Sequence, residues 1–442
     1  MSDLKKAFDA ITAKQKPLTQ LINYYHGEQP MVYTSKRLVD VFGSAMEDFT
    51  ENWCGVVVDS IKERMTLKAF DAGAAQATLD KIIEANQLYL EAADLHEMVL
   101  AAGHAYLHVW DEGNGVEIYF NDPRQCVIFY DPQRPRIRTY AAKLWTDERA
   151  HITLYYPDRF EYYISRGKGT DVTEAGAFEL DTSISETGTA VNETGGIPLF
   201  EFCGNRQKKS DLSNVIKIQN GINKLLGDMM VAAEYGAFRQ RWIISNSDIT
   251  KLRNAPNEIW NLPGGDGVGQ QTQVGEFSPT DLGNYLNAID RLAGDIARVT
   301  RLPKHYFYSQ GGDPSGEALM AMEAPLIKRV KSRIERIEPT WQQAMAFALQ
   351  CAGITGEAKP IWDSVESVQP VTQADIRVKN KSAGIPLRST LRWEGRSDQE
   401  IADVEADIVA EQTAANSNLA KALLEQQRQF DQGNVDQGNG VV

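Results

Sequence analysis

The sequence has little of what enzymes, secreted scaffolds and membrane spans require. Only four cysteines occur in 442 residues (Cys54, Cys126, Cys203 and Cys351) and no two form a CxxC pair. A disulfide framework or thiolate metal site therefore has no basis, and a reduced intracellular compartment fits. A phosphate loop of the form GxxxxGKS/T is missing, since Gly167-Lys168-Gly169-Thr170 lacks the upstream glycine. The glycine-rich turn from Gly264 to Gly269 has no helix pattern after it. Neither a GxSxG elbow nor an HExxH pair is present. His104 and His108 share one strand face, but two nitrogens without a third ligand do not make a metal site. The expectation is a protein that is not an enzyme and carries no cofactor or metal. No window approaches the roughly 20 apolar residues of a bilayer span. Met1–Lys16 is charged throughout and lacks a signal peptide's apolar stretch, so a soluble, non-secreted protein without a membrane partner is expected.

An excess of basic charge is missing as well. Lys and Arg total 46 against 60 Asp and Glu, leaving a formal charge of −14. A surface built to grip nucleic acid needs the opposite balance, although a surface that DNA must pass without sticking does not. The acidity is uneven: Glu394–Val442 holds ten acids and three bases, the pattern of a solvated acidic helix and tail. What is present is ample apolar content, 42% of residues, which excludes global disorder over a length of about two to four folding units.

Periodicity divides the chain. Phe49, Trp53, Val57, Ile61 and Met65 form one helical stripe, and a second helical stretch runs from about Ala75 to Ala102, closed by Gly103. The period then becomes that of strands: Ala105–Trp110, Val116–Phe120, Cys126–Tyr130, Ile137–Trp145, Ile152–Tyr156 and Phe160–Ser165, separated by Gly, Asn, Asp and Pro turns, predict an antiparallel sheet. Gly167–Gly196 reads as a long exposed loop and Ile197–Phe202 as one more strand. Three long helices follow. The first starts near Ser210 with a stripe from Val215 to Ala233. The second opens on Ser278-Pro279-Thr280-Asp281, which predicts a capping box, and ends at Pro303. The third starts at Asp313-Pro314 and runs to about Gln350, with Pro325 and Pro339 inside it. At 1.5 Å per residue it would be about 55 Å long, and each proline should bend it. Arg239–Phe277, between the first two long helices, reads as a small sheet-containing excursion. After Cys351 come short runs near Ile361 and Val365–Val371, then helices from about Gln373, and a Gln/Gly/Asn/Asp-rich end expected to fray.

Two basic features stand out. Lys328, Arg329, Lys331, Arg333 and Arg336 lie on the third long helix, offset by Glu323, Glu335 and Glu338. They read as a solvated or intersubunit ion-paired face, with DNA contact as the alternative. Pro303–Gly312 places Lys304, His305, Tyr306, Phe307, Tyr308 and Gln310 between two long helices, as an exposed aromatic loop or a cluster packed on a neighbour.

The order of these elements resembles the portal, or head-to-tail connector, proteins of tailed double-stranded DNA phages, in the siphophage-type branch. The matching strings are Tyr24-Tyr25-His26-Gly27, Asn52 to Asp59 and Asp122-Pro123-Arg124-Gln125. After them come Asp211-Leu212 through Asn223-Lys224 to Glu234-Tyr235, then Phe238 to Trp242, Pro303 to Tyr306 and Pro314 to Leu319. The similarity reaches about Glu411. The resemblance implies an α+β, mainly helical subunit with wing, two-helix stem, clip and helical crown, assembling into a ring of about twelve copies. Its implied segments are a wing at 1–209, stem helices at 210–238 and 279–302, a clip at 239–278 and a tunnel loop at 303–313. The long bent helix and returning wing strands would occupy 314–372, and the crown with a disordered acidic tail 373–442.

The implied function is a DNA channel at one capsid vertex for packaging, head-to-tail joining and ejection. The implied location is the virion, with the host cytoplasm during assembly. Implied partners are further copies of the chain, double-stranded DNA held without sequence specificity, a separate terminase motor, a head-completion adaptor, and the major capsid and scaffold proteins. Channel candidates are Lys304, His305, Tyr306, Tyr308 and Gln310. Docking candidates on the clip are Arg239, Arg241, Trp242, Lys251 and Arg253. The alternative reading is another ring-forming phage structural or scaffold protein that does not conduct DNA.

Overall fold

Ser2 caps the first helix by accepting the Lys5 amide, and Gly27, at φ 80°, ends it in the left-handed conformation that glycine adopts without strain. The computed structural model describes residues 2–30, 50–111, 113, 115–169, 172–237, 241–244, 273–278, 280–307, 315–366, 370–394, 396 and 398–436. The chain divides into two compact units, residues 1–67 with 72–360, and residues 68–71 with 361–442. Helices and sheets are both present, and the fold is α+β.

In the first unit, helices α1 (Asp3–His26), α2 (Trp53–Lys62), α3 (Gln76–Ala85) and α4 (Leu88–Ala101) precede the main strands. The single helical stretch expected over 75–102 is in fact two helices. Asn86 breaks it: its amide donates to the carbonyls of Ile82 and Val116 and its oxygen accepts the Ile118 amide. Gln87 then takes φ 48°. That side chain competes with the helical hydrogen bonds and redirects the chain.

The expected antiparallel sheet is two sheets. One holds β2 (His104–Asp111), β3 (Val116–Asn121) and β10 (Leu199–Cys203) in the order β10-β2-β3. The other runs β4 (Cys126–Tyr130), β5 (Arg138–Thr146), β6 (Ala150–Tyr155), β7 (Arg159–Ser165) and β8 (Phe178–Leu180), with β9 (Thr189–Val191) also on β7. The turn at Asp122–Gln125 separates them, with Asp122 accepting the Arg124 amide at 2.7 Å. β10 instead takes the other edge of β2, pairing Leu199 with His108 and Cys203 with His104. Gly167–Gly196 is therefore not one exposed loop, because β8 and β9 lie within it. Each is three residues long, too short to show a period, yet Phe178 is buried and meets Phe8 of α1 at 5.7 Å.

Helix α5 (Ile216–Ala237) begins later than Ser210, because buried Ser210 donates to the Ala101 carbonyl and accepts the Leu212 amide, holding a turn there. A two-stranded ribbon follows, β11 (Arg241–Ile244) against β12 (Gln273–Glu276). Helix α6 (Gly283–Thr300) lacks the expected capping box. Asp281 accepts the Gly283 amide at 2.8 Å in an Asx turn, so the helix starts after it. Helix α7 (Gly316–Cys351) is capped by Ser315, whose hydroxyl accepts the Ala318 amide, rather than by Asp313, which lies outside the described residues. Its 36 residues span about 54 Å and include both prolines.

In the second unit, residues of β1 (Leu67–Asp71) pair with β13 (Lys359–Trp362), and three helices follow. These are α8 (Pro370–Ser382), α9 (Leu387–Trp393) and α10 (Asp398–Asp436). Arg377 grips Glu394 through two hydrogen bonds, and Ile401 and Leu391 are buried between the helices. The run expected at Val365–Val371 is not a strand where it is described: Val365 sits in a bend and Pro370 opens α8. Helix α10 continues to Asp436, and the last part of the end expected to fray, 437–442, lies outside the described residues.

Candidate assembly and channel surfaces

Three of the strings that carried the resemblance meet in space. Tyr24 donates its hydroxyl proton to Asn220 at 2.9 Å, and Tyr25 donates to Asp59 at 2.9 Å. Asn52 caps α2 through the Gly55 amide while its own amide group donates to the Tyr25 carbonyl at 2.7 Å. Gln219, fully buried on α5, accepts the Trp53 amide at 3.0 Å and donates to the Glu51 carbonyl at 2.6 Å. Asn223 accepts the Glu51 amide at 3.2 Å. These polar groups join the end of α1 and the start of α2 to one face of α5. Each is buried or half-buried, so each needs the partner it has.

The turn after α6 is anchored on one side and open on the other. Arg301, at φ 59°, ends the helix; Leu302 and Pro303 are buried, and Lys304–Tyr306 forms a single 3-10 turn. Phe307 is buried against Trp53 at 5.3 Å between ring centres. The Tyr306 hydroxyl accepts from Arg64 at 3.0 Å and donates to Glu323 at 3.3 Å, beside the Arg64–Glu323 ion pair at 3.2 Å. Tyr306 is thus tied into its own subunit, while Lys304 and His305 are exposed. Tyr308 and Gln310 lie outside the described residues. Arg64 carried no sequence signal, being one base on an exposed-looking helix end.

The basic stretch on α7 does not form one face. Arg333 bonds Asp211 through two nitrogens, at 2.6 and 3.3 Å, and donates to the Gly204 carbonyl at 2.9 Å. Arg329 pairs with the same carboxylate at 3.2 Å and donates to the Thr300 carbonyl at the end of α6. Asp211 is therefore a buried junction at which α7 holds the approach to α5 and the end of α6. Arg329 and Arg333 are therefore mostly buried and ion-paired within their own subunit. Lys328, Lys331 and Arg336 are the exposed members.

On the ribbon, Arg241 lies beside Glu276 on the opposite strand at 3.4 Å, and Trp242 lies over Gly275. A Cβ on Gly275 would stand 2.4 Å from the indole, so the glycine makes room for the ring. Trp242 stays 36% exposed. Arg239, Lys251 and Arg253 lie outside the described residues.

Residues 5–402 match the phage portal protein family, SPP1 Gp6-like. The chain belongs to that family. Two relatives are named portal protein: one from Mycobacterium phage L5, 25% identical over 323 residues, and one from Mycobacterium phage D29, 24% identical over 310. In each case the match covers 66% of this chain and 63% of the relative, so the chain accounts for less than two thirds of either relative's length. Among solved structures, a chain from the neck of a native GTA particle computed with C12 symmetry overlays at a TM-score of 0.49 with 13% identity. That overlay covers 83% of this chain and 95% of the other. The matched range takes in α5, the ribbon strands, α6 and α7, and all the converging residues above fall inside it.

The three buried histidines have no part in these surfaces. Burial pushes His96 and His104 down to about 4 and His108 to about 3, so all three are neutral imidazoles at neutral pH. Burial likewise pushes the Cys54 and Cys126 thiols up to about 12, as small apolar groups in the core. Among the described residues no helix is long and apolar enough to cross a membrane.

Proposed function

We propose that the chain is the subunit of a portal ring at one capsid vertex, a structural conduit rather than an enzyme. Double-stranded DNA would be packaged and ejected through the ring, and the tail joined to it. The observation that carries this reading is the match of residues 5–402 to the phage portal protein family. Trp242 and Ile244 on β11, Phe277 beside β12, Leu286 and Val299 on α6, and Met320 on α7 are all exposed. A heterologous interface repeated around a ring would cover such side chains. Membership of the portal family supports the same assembly.

In this reading 1–209 is the wing, 210–238 and 279–302 are the stem helices, and 239–278 is the clip. Residues 303–313 are the tunnel loop, 314–372 the long helix with returning wing strands, and 373–442 the crown. Lys304 and His305 are the channel-facing groups, transient phosphate contacts in a ring to which every copy adds its −14. Lys328, Lys331 and Arg336 face outward from α7, toward DNA or a neighbouring copy. The ring, of about twelve copies by analogy with the family, would dock a terminase motor and head-completion adaptor at its clip around Trp242. Its wing would meet capsid and scaffold proteins. The ring would form in the host cytoplasm and reside in the virion.

Native mass spectrometry with negative-stain microscopy tests this directly. Closed annular particles of one stoichiometry are expected. A monomer at every concentration, with no annuli in any preparation, would overturn the reading.

A further inference from the structure

The first unit holds a cleft lined by none of the candidate channel or basic-face residues. Its volume is about 500 Å3, within the range of side-chain and small-ligand pockets. The end of β2 supplies Trp110 and Asp111, β7 supplies Phe160 and Tyr162, the loop after β9 supplies Glu193, and the last turn of α7 supplies Phe347. No Lys or Arg lines it among the described residues. Neither Asp111, which is half-buried and accepts the Gly113 amide at 2.7 Å, nor Glu193, which is exposed, has an ion-pair partner among the described residues.

Three independent features favour a cation there. The two carboxylates are the first. The second is the aromatic wall, with Trp110 and Phe160 at 4.8 Å, since ring faces attract ammonium and guanidinium groups. The third is the C-terminal end of α7, whose carbonyls carry the negative pole of a 36-residue helix and whose last turn has no basic residue to offset it.

The cleft is already shaped for an occupant. Asn192, buried, donates to the carbonyls of Tyr156 at 3.1 Å and Gly196 at 2.6 Å and accepts the Gly195 amide at 3.1 Å. Gln350 of α7 donates to the Thr194 carbonyl at 2.9 Å, pinning the same loop to the helix. Little ordering is therefore left to oppose binding.

We propose that this cleft is a docking site for a Lys- or Arg-bearing segment of a partner protein, the basic side chain entering between the aromatic wall and the Asp111 and Glu193 carboxylates. The proposal goes beyond the ring and does not depend on it, because every residue it uses belongs to one subunit.

Fluorescence anisotropy on the full chain tests it with a labelled Gly/Ser peptide carrying a central Lys-Arg pair, against the same peptide carrying norleucine and citrulline instead. The basic peptide should bind, and Asp111→Asn with Glu193→Gln should weaken it roughly tenfold or more. Asp403→Asn with Glu411→Gln removes the same charge from α10 and should leave binding unchanged, which separates the cleft from general acidity. An unmutated readout accompanies these: the bound peptide should slow alkylation of Cys351, which lines the cleft. Equal binding of the neutral peptide, an equal loss in both double variants, or unaltered Cys351 labelling would overturn the proposal. Competition by self-assembly of the chain would overturn the assignment to a partner protein.

Discussion

Asp211 shows how much one residue carries here. Its side chain is 7% exposed and sits between two guanidinium groups that are themselves about five-sixths buried. Asp211→Ala would leave both uncompensated in a half-dry environment, and breaking such a pair costs about 3–5 kcal/mol. The denaturant midpoint should fall accordingly, and a change within experimental error would show the junction to be dispensable. Asp211 was visible in the sequence as part of a matched string, yet its partners were not. Arg329 and Arg333 were legible only as members of a basic run, because charge alone does not tell an inward arginine from an outward one.

The buried histidines set a pH dependence at the same scale. An unfolded imidazole titrates near 6.5, whereas those of His96, His104 and His108 are held down to about 3–4 by burial. As pH falls below 6.5 the unfolded chain takes up protons that the folded chain refuses, so stability present above 6.5 declines toward about pH 4. His96 adds a specific reason: its Nε2 accepts the Trp341 indole proton at 3.1 Å, which a protonated ring cannot do. Urea midpoints should drop between about pH 7 and about pH 5. A flat profile over that range would contradict the neutral assignments.

At the scale of elements, the end of α4 packs closely against the approach to α5. Gly103 has φ 94°, and a Cβ there would lie 2.3 Å from the Lys208 carbonyl oxygen. Gly353, at φ 75°, has nothing within 4 Å. Gly353→Ala should therefore cost only conformational strain, about 1–3 kcal/mol. Gly103→Ala should cost clearly more, because a backbone carbonyl must move, and thermal melts of the two variants compare them directly. Equal costs would mean that the joint yields. The closing role of Gly103 was legible from its place after an apolar run. The contact that makes it indispensable was not, since Lys208 lies over a hundred residues away. The same limit explains β8 and β9, which exist only because β7 offers an edge, and the missing capping box, where a local Asx turn outcompeted a sequence pattern of equal quality.

For the whole molecule, the consequence to measure lies at the turn after α6. Lys304 is exposed while its neighbours Pro303, Tyr306 and Phe307 are bound into the subunit. Lys304→Ala therefore removes a charge without loosening the turn. In the ring it should lower the yield of packaged DNA while leaving annular particles intact. Equal loss of packaging and of rings would make the turn purely structural.

Local patterns were enough to establish the mixed class, the three long helices in order, most strands of the first unit, and the net acidity of the chain. All of these follow from period, turn chemistry and charge, which neighbouring residues carry among themselves. Only the tertiary structure decided that the strands form two sheets, that Asp211 consumes two of five bases on α7, and that a carboxylate- and aromatic-lined cleft closes between β2, β7 and the end of α7. Each depends on contacts between residues far apart in the chain, where burial and pairing energies exist only after the chain has folded.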